Sequence, residues 1–175
     1  MTFARVRALV VVGMLLVVAA ILVVFTFVKD SQRNPKVAAG CPEGAVVVDA
    51  RLPDENKEVK LKIFNGTKEP GLAEQVASDF AHRGFAVDKK RSNAPKAVDA
   101  VATLRYGPKA VGDAWLIKAY FLQEATTEFD RNRDDDVVDV LIGAKFQQLA
   151  TETEVRQALT LLGNPIPPPG TCAVP

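Results

Sequence analysis

Residues 59–85 constrain the fold of this 175-residue chain more than any other stretch. Their first positions alternate apolar residues with lysines, which is the two-residue period of a half-buried strand. Asn65-Gly66-Thr67 follows as a turn, because Asn and Gly tolerate a left-handed backbone. A helical period comes next, set by Leu72, Ala73, Val76, Ala77 and Phe80. Gly84 ends that helix, so the stretch predicts a strand, a helix and the start of a second strand.

The sequence that follows repeats this arrangement once and then adds a strand and a helix. Residues 101–106 predict a strand, residues 108–121 a helix and residues 125–129 the strand after it. Residues 137–142 predict a fifth strand, and Thr151 begins a last helix with capping-box spacing. Together these elements predict an α/β or α+β domain, with a mixed sheet and about three helices that cover one of its faces.

An uncharged run of 21 residues, 8–28, lies near the N-terminus. At about 1.5 Å per residue, a helix of this length spans a hydrocarbon core of about 30 Å. We therefore predict a single-pass membrane anchor at 8–28 and a cytoplasmic tail at 1–7. One competing interpretation is a cleaved signal peptide, although its apolar region is usually about 7–15 residues long. The other is a lipoprotein signal at Ala38-Ala39-Gly40-Cys41, although polar residues separate it from the apolar run.

Proline and glycine divide the remainder of the chain into three parts. Residues 29–58 predict a linker, within which the apolar residues 45–50 form a possible edge strand. Residues 59–163 form the predicted folded domain. Residues 164–175 are a proline-rich tail that ends in a cysteine, and its segment 166–170 predicts an extended polyproline-like chain.

The two cysteines, Cys41 and Cys172, bracket the part of the chain that follows the predicted anchor. In an exported domain such a pair indicates a disulfide, whereas an internal Cys-x-x-Cys would indicate metal or redox chemistry. Basic residues flank the apolar run on both sides, so charge does not determine its orientation. The cysteines favour a plasma-membrane protein whose C-terminal domain is extracytoplasmic.

Histidine and tryptophan each occur once, as His82 and Trp115. Trp115 lies on the apolar side of the predicted second helix, so we expect it in the core rather than as a platform for a ligand. His82 lies on the polar side of the first helix near its end, where an imidazole commonly faces the helix dipole. The sequence has no Gly-x-Ser-x-Gly, P-loop or dinucleotide fingerprint. We therefore expect neither an enzyme nor a cofactor.

The charge balance excludes some partners. With 22 basic and 21 acidic residues the net charge is only +1, which argues against nucleic acid. The acidic stretch 130–136 imitates a calcium loop, but Asp135 stands where such a loop needs Gly and Leu141 where it needs Glu. A solvated acidic hairpin is therefore expected and no metal site is predicted, although weak cation binding stays open.

Several short motifs of the predicted domain occur together in one known family. They are Asn65-Gly66, Gly71-Leu72-Ala73, Arg83-Gly84-Phe85, Leu104-Arg105-Tyr106-Gly107 and the stretch 138–146. On these motifs, residues 59–146 resemble the LytR C-terminal domain of bacterial envelope proteins. Trp115-Leu116, the run 133–136 and the terminal cysteines are similar, more narrowly, to actinobacterial envelope integrity proteins.

The resemblance implies a membrane-anchored protein that carries this domain without the catalytic domain of full-length LytR-type transferases. Such proteins are structural or regulatory in the cell envelope, and the family motifs bring no catalytic residues. The expected function is thus support of envelope integrity by a non-catalytic extracytoplasmic domain, which binds envelope glycan or a LytR-type glycopolymer transferase.

Two loops are the candidate binding surfaces, because loops on a rigid scaffold usually carry binding. We define them as loop 65–71 and turn 133–136. The candidate partner-binding residues are Asn65, Gly66, Thr67, Gly71, Arg105, Arg133, Asp135 and Asp136. Two alternatives stay open. One is a hydrolase or transferase that acts on envelope glycan through the acidic stretch from Glu128 to Asp136, and the other is a purely structural spacer.

The predicted topology has a direct test. A reporter enzyme that is active only outside the cytoplasm, fused after Pro175, should be active, because the C-terminal domain is expected to be exported. A reporter that is active only in the cytoplasm, fused at the same position, serves as the control. Activity of the cytoplasmic reporter alone would contradict the topology.

Overall fold

The computed structural model of this protein describes residues 12–14, 16–18, 41–42, 44–90 and 92–173. Residues 12–14 and 16–18 are helical and belong to the predicted anchor, most of which lies outside the described residues, as does the predicted tail 1–7. Among the described residues, no helix combines the length and the apolar character needed to cross a membrane. The chain divides into two compact units, and the second, Gly40–Val174, holds the folded domain.

Eight strands and three α-helices make up the described part of this domain. The strands are β1 (Val46–Val48), β2 (Lys60–Asn65), β3 (Ala86–Val87), β4 (Ser92–Asn93), β5 (Ala102–Tyr106), β6 (Thr126–Phe129), β7 (Val137–Ile142) and β8 (Thr171–Ala173). The helices are α1 (Leu72–His82), α2 (Val111–Tyr120) and α3 (Glu152–Leu162), with short 3-10 turns at Asn56–Glu58 and Pro108–Ala110.

The main sheet contains the two predicted strand–helix–strand units. Strands β2 and β3, on either side of α1, pair in parallel, and so do β5 and β6 on either side of α2. Strand β7 lies between the two units, parallel to β2 and antiparallel to β5. The order is therefore β3-β2-β7-β5-β6, with β4 added beside β2, which makes the sheet mixed as predicted.

The prediction of an acidic hairpin between β6 and β7 is wrong. Strand β5 lies between them, so the chain from 130 to 136 crosses the end of β5 instead of making a hairpin turn. The reason is the helix of the second unit, which returns the chain to the sheet parallel to β5 and on its outer side. The next strand then pairs on the inner side of β5.

One face of the sheet carries the core. Leu61 and Ile63 of β2 and Val138 and Val140 of β7 lie on this face, and each is at most 1% exposed. They pack against Val76, Ala77 and Phe80 of α1 and against Ala114 and Ile117 of α2. The opposite face of the sheet presents charged side chains, so the helices cover one face as the sequence predicted.

Phe80 is the centre of an aromatic cluster that joins α1 to the end of α2. Its ring centroid lies 5.3 Å from that of Phe85, 5.6 Å from Tyr120 and 6.2 Å from Phe121. The Arg83 guanidinium lies 5.4 Å from the centre of the Tyr120 ring and donates to the Ala150 carbonyl just before α3. Removal of a buried Phe of this kind typically costs about 3–5 kcal/mol.

A separate two-stranded sheet ties the linker to the tail. Strand β1, the predicted edge strand, pairs in parallel with β8, which places Val47 opposite Cys172. The predicted disulfide between Cys41 and Cys172 is confirmed, with Cα atoms 5.6 Å apart. Strand β8 was not predicted, because three residues are too few to show a period. Helix α3 begins with the predicted capping box of Thr151 and Glu154.

Loss of the disulfide should destabilise the domain without unfolding it. The bond closes a loop with a sequence separation of 131. In the chain-entropy model, a loop of this length restrains the unfolded chain and adds roughly 4–5 kcal/mol to the free energy of unfolding. Strain in the native state lowers this contribution. Cys172→Ser should therefore lower the melting temperature and expose the tail to protease.

Cys41→Ser and the double variant are matched controls, and both should unfold at the same temperature as Cys172→Ser. Thermal unfolding followed by circular dichroism, with thiol counting in the wild type, measures both effects. A wild type that contains two free thiols, or a Cys172→Ser variant as stable as the wild type, would contradict the assignment.

Candidate functional site

Loop 65–71 is held in shape by its own side chains. The Asn65 Oδ1 atom accepts from the Thr67 backbone N–H at 2.9 Å and from the Thr67 hydroxyl at 2.8 Å, and Asn65 Nδ2 donates to the Glu69 carbonyl. A Cβ atom at Gly66 would lie 2.6 Å from the Ile142 carbonyl oxygen. Gly71, with a left-handed φ of 83°, leads into α1. These motif residues therefore build the loop, and their polar groups are largely occupied within it.

Turn 133–136 is a network of ion pairs. The Arg133 guanidinium contacts Asp135 at 2.6 Å and Asp139 at 2.8 Å, and its side chain is only 15% exposed. Burial lowers the pKa of Arg133, but its hydrogen bonds to Asp139 and Asp135 outweigh this and raise it. Burial likewise opposes ionisation of Asp135, yet the bond to Arg133 leaves its pKa lowered. Asp136 pairs with Lys60 at 2.7 Å, which lowers its pKa.

The structure does not bring the two predicted binding surfaces together. In the β2–β7 ladder, Lys60 pairs with Val137 next to turn 133–136, and Asn65 pairs with Ile142 next to loop 65–71. The two surfaces therefore lie at opposite ends of the sheet, about 17 Å apart at roughly 3.3 Å per residue. Arg105 belongs with the turn, because its carbonyl accepts from Arg133 and its side chain pairs with Glu128.

An acidic cleft of about 440 Å³ lies beside turn 133–136, between the linker and the start of α2. Its acidic lining residues are Asp49, Asp54, Glu58, Asp113 and Asp136, against the basic residues Arg51 and Lys109. The linker rests directly on α2, because a Cβ atom at Gly112 would collide with the Arg51 carbonyl oxygen at 1.7 Å. Among the described residues, no three potential ligands are arranged to hold a metal ion.

Asp113 is the carboxyl group that this cleft perturbs most. Burial raises its pKa to about 6, helped by the negative charges of Asp49, Asp136 and Glu58 and opposed by Lys60. Sequence reasoning missed it, because an acid in the first turn of a helix is expected to gain from the helix dipole. The neighbouring Gly112, which lets the linker approach, was the available signal.

A second concave surface, the aromatic groove, has a volume of about 340 Å³. Its walls are Ala114, Trp115 and Lys118 on α2 and residues 166–169 of the tail, and its floor is Tyr106, Thr127 and Phe129. Tyr106 and Phe129 are paired across β5 and β6, and their ring centroids are 5.9 Å apart. Burial raises the pKa of Tyr106, and the neighbouring Thr127 side chain opposes this shift. The floor is therefore a pair of fixed aromatic rings.

Trp115 lines this groove, and its predicted place in the core is wrong. The indole is half-buried, and its Nε1–H donates to the Gly163 carbonyl at 3.1 Å. Helix α2 is buried around most of its circumference, with Ile117 and Ala119 fully covered. An apolar residue on such a helix does not mark a single core face, so Trp115 lies at the margin of the core. With its N–H occupied, the indole offers the groove an apolar surface.

Comparisons with known proteins agree with this fold. A family model described as LytR cell envelope-related transcriptional attenuator matches residues 58–146. The chain is also similar to the soluble domain of a conserved hypothetical secreted protein from Mycobacterium marinum, with a TM-score of 0.51 and 24% identity. That similarity covers 66% of this chain and 82% of the other. No curated protein matches.

Neutralisation of Asp113 should stabilise the domain at alkaline pH. The folded-state pKa of about 6 lies above the ordinary aspartate value of 3.8, so folding disfavours the ionised carboxylate and stability falls as pH rises from about 4 to 6. Asp113→Asn should therefore raise the free energy of unfolding at pH 8 by about 1–2 kcal/mol and leave it unchanged near pH 3.5.

Denaturant unfolding at the two pH values measures this difference. Asp99→Asn is the matched control, because the Asp99 side chain is 93% exposed, and it should have little effect at either pH. An Asp113→Asn variant that is less stable than the wild type at pH 8 would contradict the burial of this carboxylate.

Proposed function

Because the chain belongs to the LytR C-terminal domain family, we propose that it is a membrane-anchored protein whose extracytoplasmic domain binds an envelope glycan in the aromatic groove. The domain contributes to envelope integrity by holding that glycan, without catalysing a reaction on it.

Three features support a location outside the cytoplasm. The Cys41–Cys172 disulfide is typical of an oxidising compartment. The uncharged run 8–28 is long enough for a single-pass anchor. The similar Mycobacterium marinum protein is described as secreted. Together these features favour an extracytoplasmic domain.

The aromatic groove is the observation that carries the proposal. Ligand sites are concave, mostly apolar and supplied with a few well-placed polar groups. A sugar ring has an apolar face of C–H groups and a polar edge, and an aromatic ring flanked by hydroxyl groups is complementary to both. Trp115, Tyr106 and Phe129 provide the rings, and Thr127 and Lys118 provide polar groups. Because the Trp115 indole already donates to the Gly163 carbonyl, little side-chain freedom is lost on binding.

The acidic stretch from Glu128 to Asp136 is poorly suited to catalysis. Acid–base chemistry by two carboxyl groups needs one of them with a raised pKa. Here Asp135 and Asp136 have lowered pKa values, and Glu128 is paired with Arg105. These contacts support a structural role for turn 133–136. A LytR-type transferase as protein partner, and a spacer without a ligand, rest on the family resemblance and have no comparable geometric support.

The single tryptophan makes the proposal measurable, because binding in the groove should change its fluorescence. Full-length protein in detergent should show a saturable fluorescence change with soluble cell-wall glycan fragments, and it should co-sediment with insoluble wall. Trp115→Ala should weaken co-sedimentation about 10-fold, which corresponds to about 1.4 kcal/mol. Trp115→Phe keeps a ring and should retain most of the binding.

Val47→Ala is a matched control, because Val47 is an apolar residue, 51% exposed, that lies outside the groove lining. It should bind like the wild type. Circular dichroism of each variant separates loss of binding from loss of fold. If Trp115→Ala folds and co-sediments as well as the wild type, the groove is not the glycan site.

A further inference from the structure

We propose that the aromatic groove selects anionic glycans over neutral ones, and that Lys118 binds the anionic group on the sugar. This inference rests on the proposed function, since it names the chemical class of the ligand for the same site. The shared chemistry is a carboxylate or phosphate attached to a ring that packs against Trp115. Lys118 is then the residue that determines specificity.

The positions of Lys118 and Trp115 on α2 make one ligand able to contact both. They are three residues apart on the same helix, so they are neighbours on its surface, with Cβ atoms about 5–6 Å apart. Both side chains line the groove. A ring that covers the Trp115 indole therefore brings its substituents within reach of the Lys118 ammonium group.

Among the described residues, no acid forms an ion pair with Lys118. Other lysines around α2 have partners: Lys60 pairs with Asp136 and Lys109 with Asp134, each at 2.7 Å. In the described part of the chain the Lys118 side chain has no ion pair or hydrogen bond, and the groove lining contains no carboxylate. An ammonium group beside an apolar surface with no local counter-charge favours an anionic ligand.

The wall formed by tail residues 166–169, the tail wall, makes ligand binding depend more strongly on Lys118. Residues 167–169 are prolines, which have no backbone N–H, so that part of the wall cannot donate hydrogen bonds to a ligand. The Tyr106 hydroxyl is largely buried beside the Thr127 side chain. Lys118 therefore supplies the strongest donor in the groove, and a charged acceptor gains most from it.

The acidic cleft on the same helix directs an anionic polymer towards the groove. Asp113, near the start of α2, lines that cleft with four other carboxyl groups and two basic residues, whereas Lys118, near the end of α2, lines the groove. Polyanions are repelled by the first surface and attracted by the second. The two ends of one helix thus present opposite fields to a ligand.

A titration with matched oligosaccharides tests the proposal. Full-length protein in detergent is titrated, by isothermal titration calorimetry, with three oligosaccharides of equal length: a neutral glucan, a uronic-acid oligomer and a phosphate-substituted oligomer. The wild type should bind at least one anionic oligomer about 10-fold more tightly than the neutral one, and added salt should reduce that preference. The two anionic arms distinguish carboxylate from phosphate.

Variants at two lysines identify the residue responsible. Lys118→Gln should remove the preference while binding to the neutral glucan is retained, and Lys118→Arg should keep it. Lys109→Gln, which removes the same charge next to α2 but outside the groove, should keep it as well. Lys118 lies near the negative end of the α2 dipole and could act only by stabilising the helix. In that case Lys118→Gln would lower the melting temperature and leave the preference for anionic oligomers unchanged.

Failure of this inference is distinguishable from failure of the proposed function. Equal binding of neutral and anionic oligomers by the wild type, or an unchanged preference in Lys118→Gln, would overturn the role of Lys118. In that case binding that still depends on Trp115 would leave the groove as the glycan site. If none of the oligomers binds, or if binding is insensitive to Trp115→Ala, the proposed function fails as well.

Discussion

The pairing of β2 with β7 is the contact on which the rest of the domain depends. It joins residues 60–65 to residues 137–142, six parallel pairs between segments far apart in the chain. Without it the β2–α1–β3 unit would not be joined to the sheet formed by β7, β5 and β6. With it, Leu61 and Ile63 of one strand and Val138 and Val140 of the other form a single core under α1 and α2.

Helix α2 connects this core to both concave surfaces. Its first turn carries Gly112 and Asp113 into the acidic cleft, and its later turns carry Trp115 and Lys118 into the aromatic groove. Segments outside the family match complete both surfaces: linker residues 51–54 border the cleft, and tail residues 166–169 border the groove. The β1–β8 ladder and the Cys41–Cys172 bond hold the linker and the tail together. The disulfide therefore supports both surfaces, although it lies in neither.

The family motifs prove to be parts of the scaffold. Asn65 builds its loop through three hydrogen bonds, and Gly66 is needed because the β7 carbonyl of Ile142 approaches too closely for a side chain. Arg133 is held by Asp135 and Asp139 and contacts the β5 backbone. The residues that carry the family resemblance therefore indicate the fold of this chain. The features that suggest a ligand are Trp115, Lys118 and the tail wall. They depend on where side chains lie at the margins of that fold.

The sequence by itself determined the types of the longer elements, the two strand–helix–strand units, the capping box of α3 and the Cys41–Cys172 pair. Each of these depends on short-range periodicity, on local capping chemistry or on the small number of possible partners. Tertiary structure alone decided the insertion of β7 between the units, the separation of loop 65–71 from turn 133–136, and the exposure of Trp115 in a groove. It also decided the burial of Asp113 under the linker. These outcomes depend on contacts between residues that are distant in sequence, and no local pattern encodes which surfaces will meet.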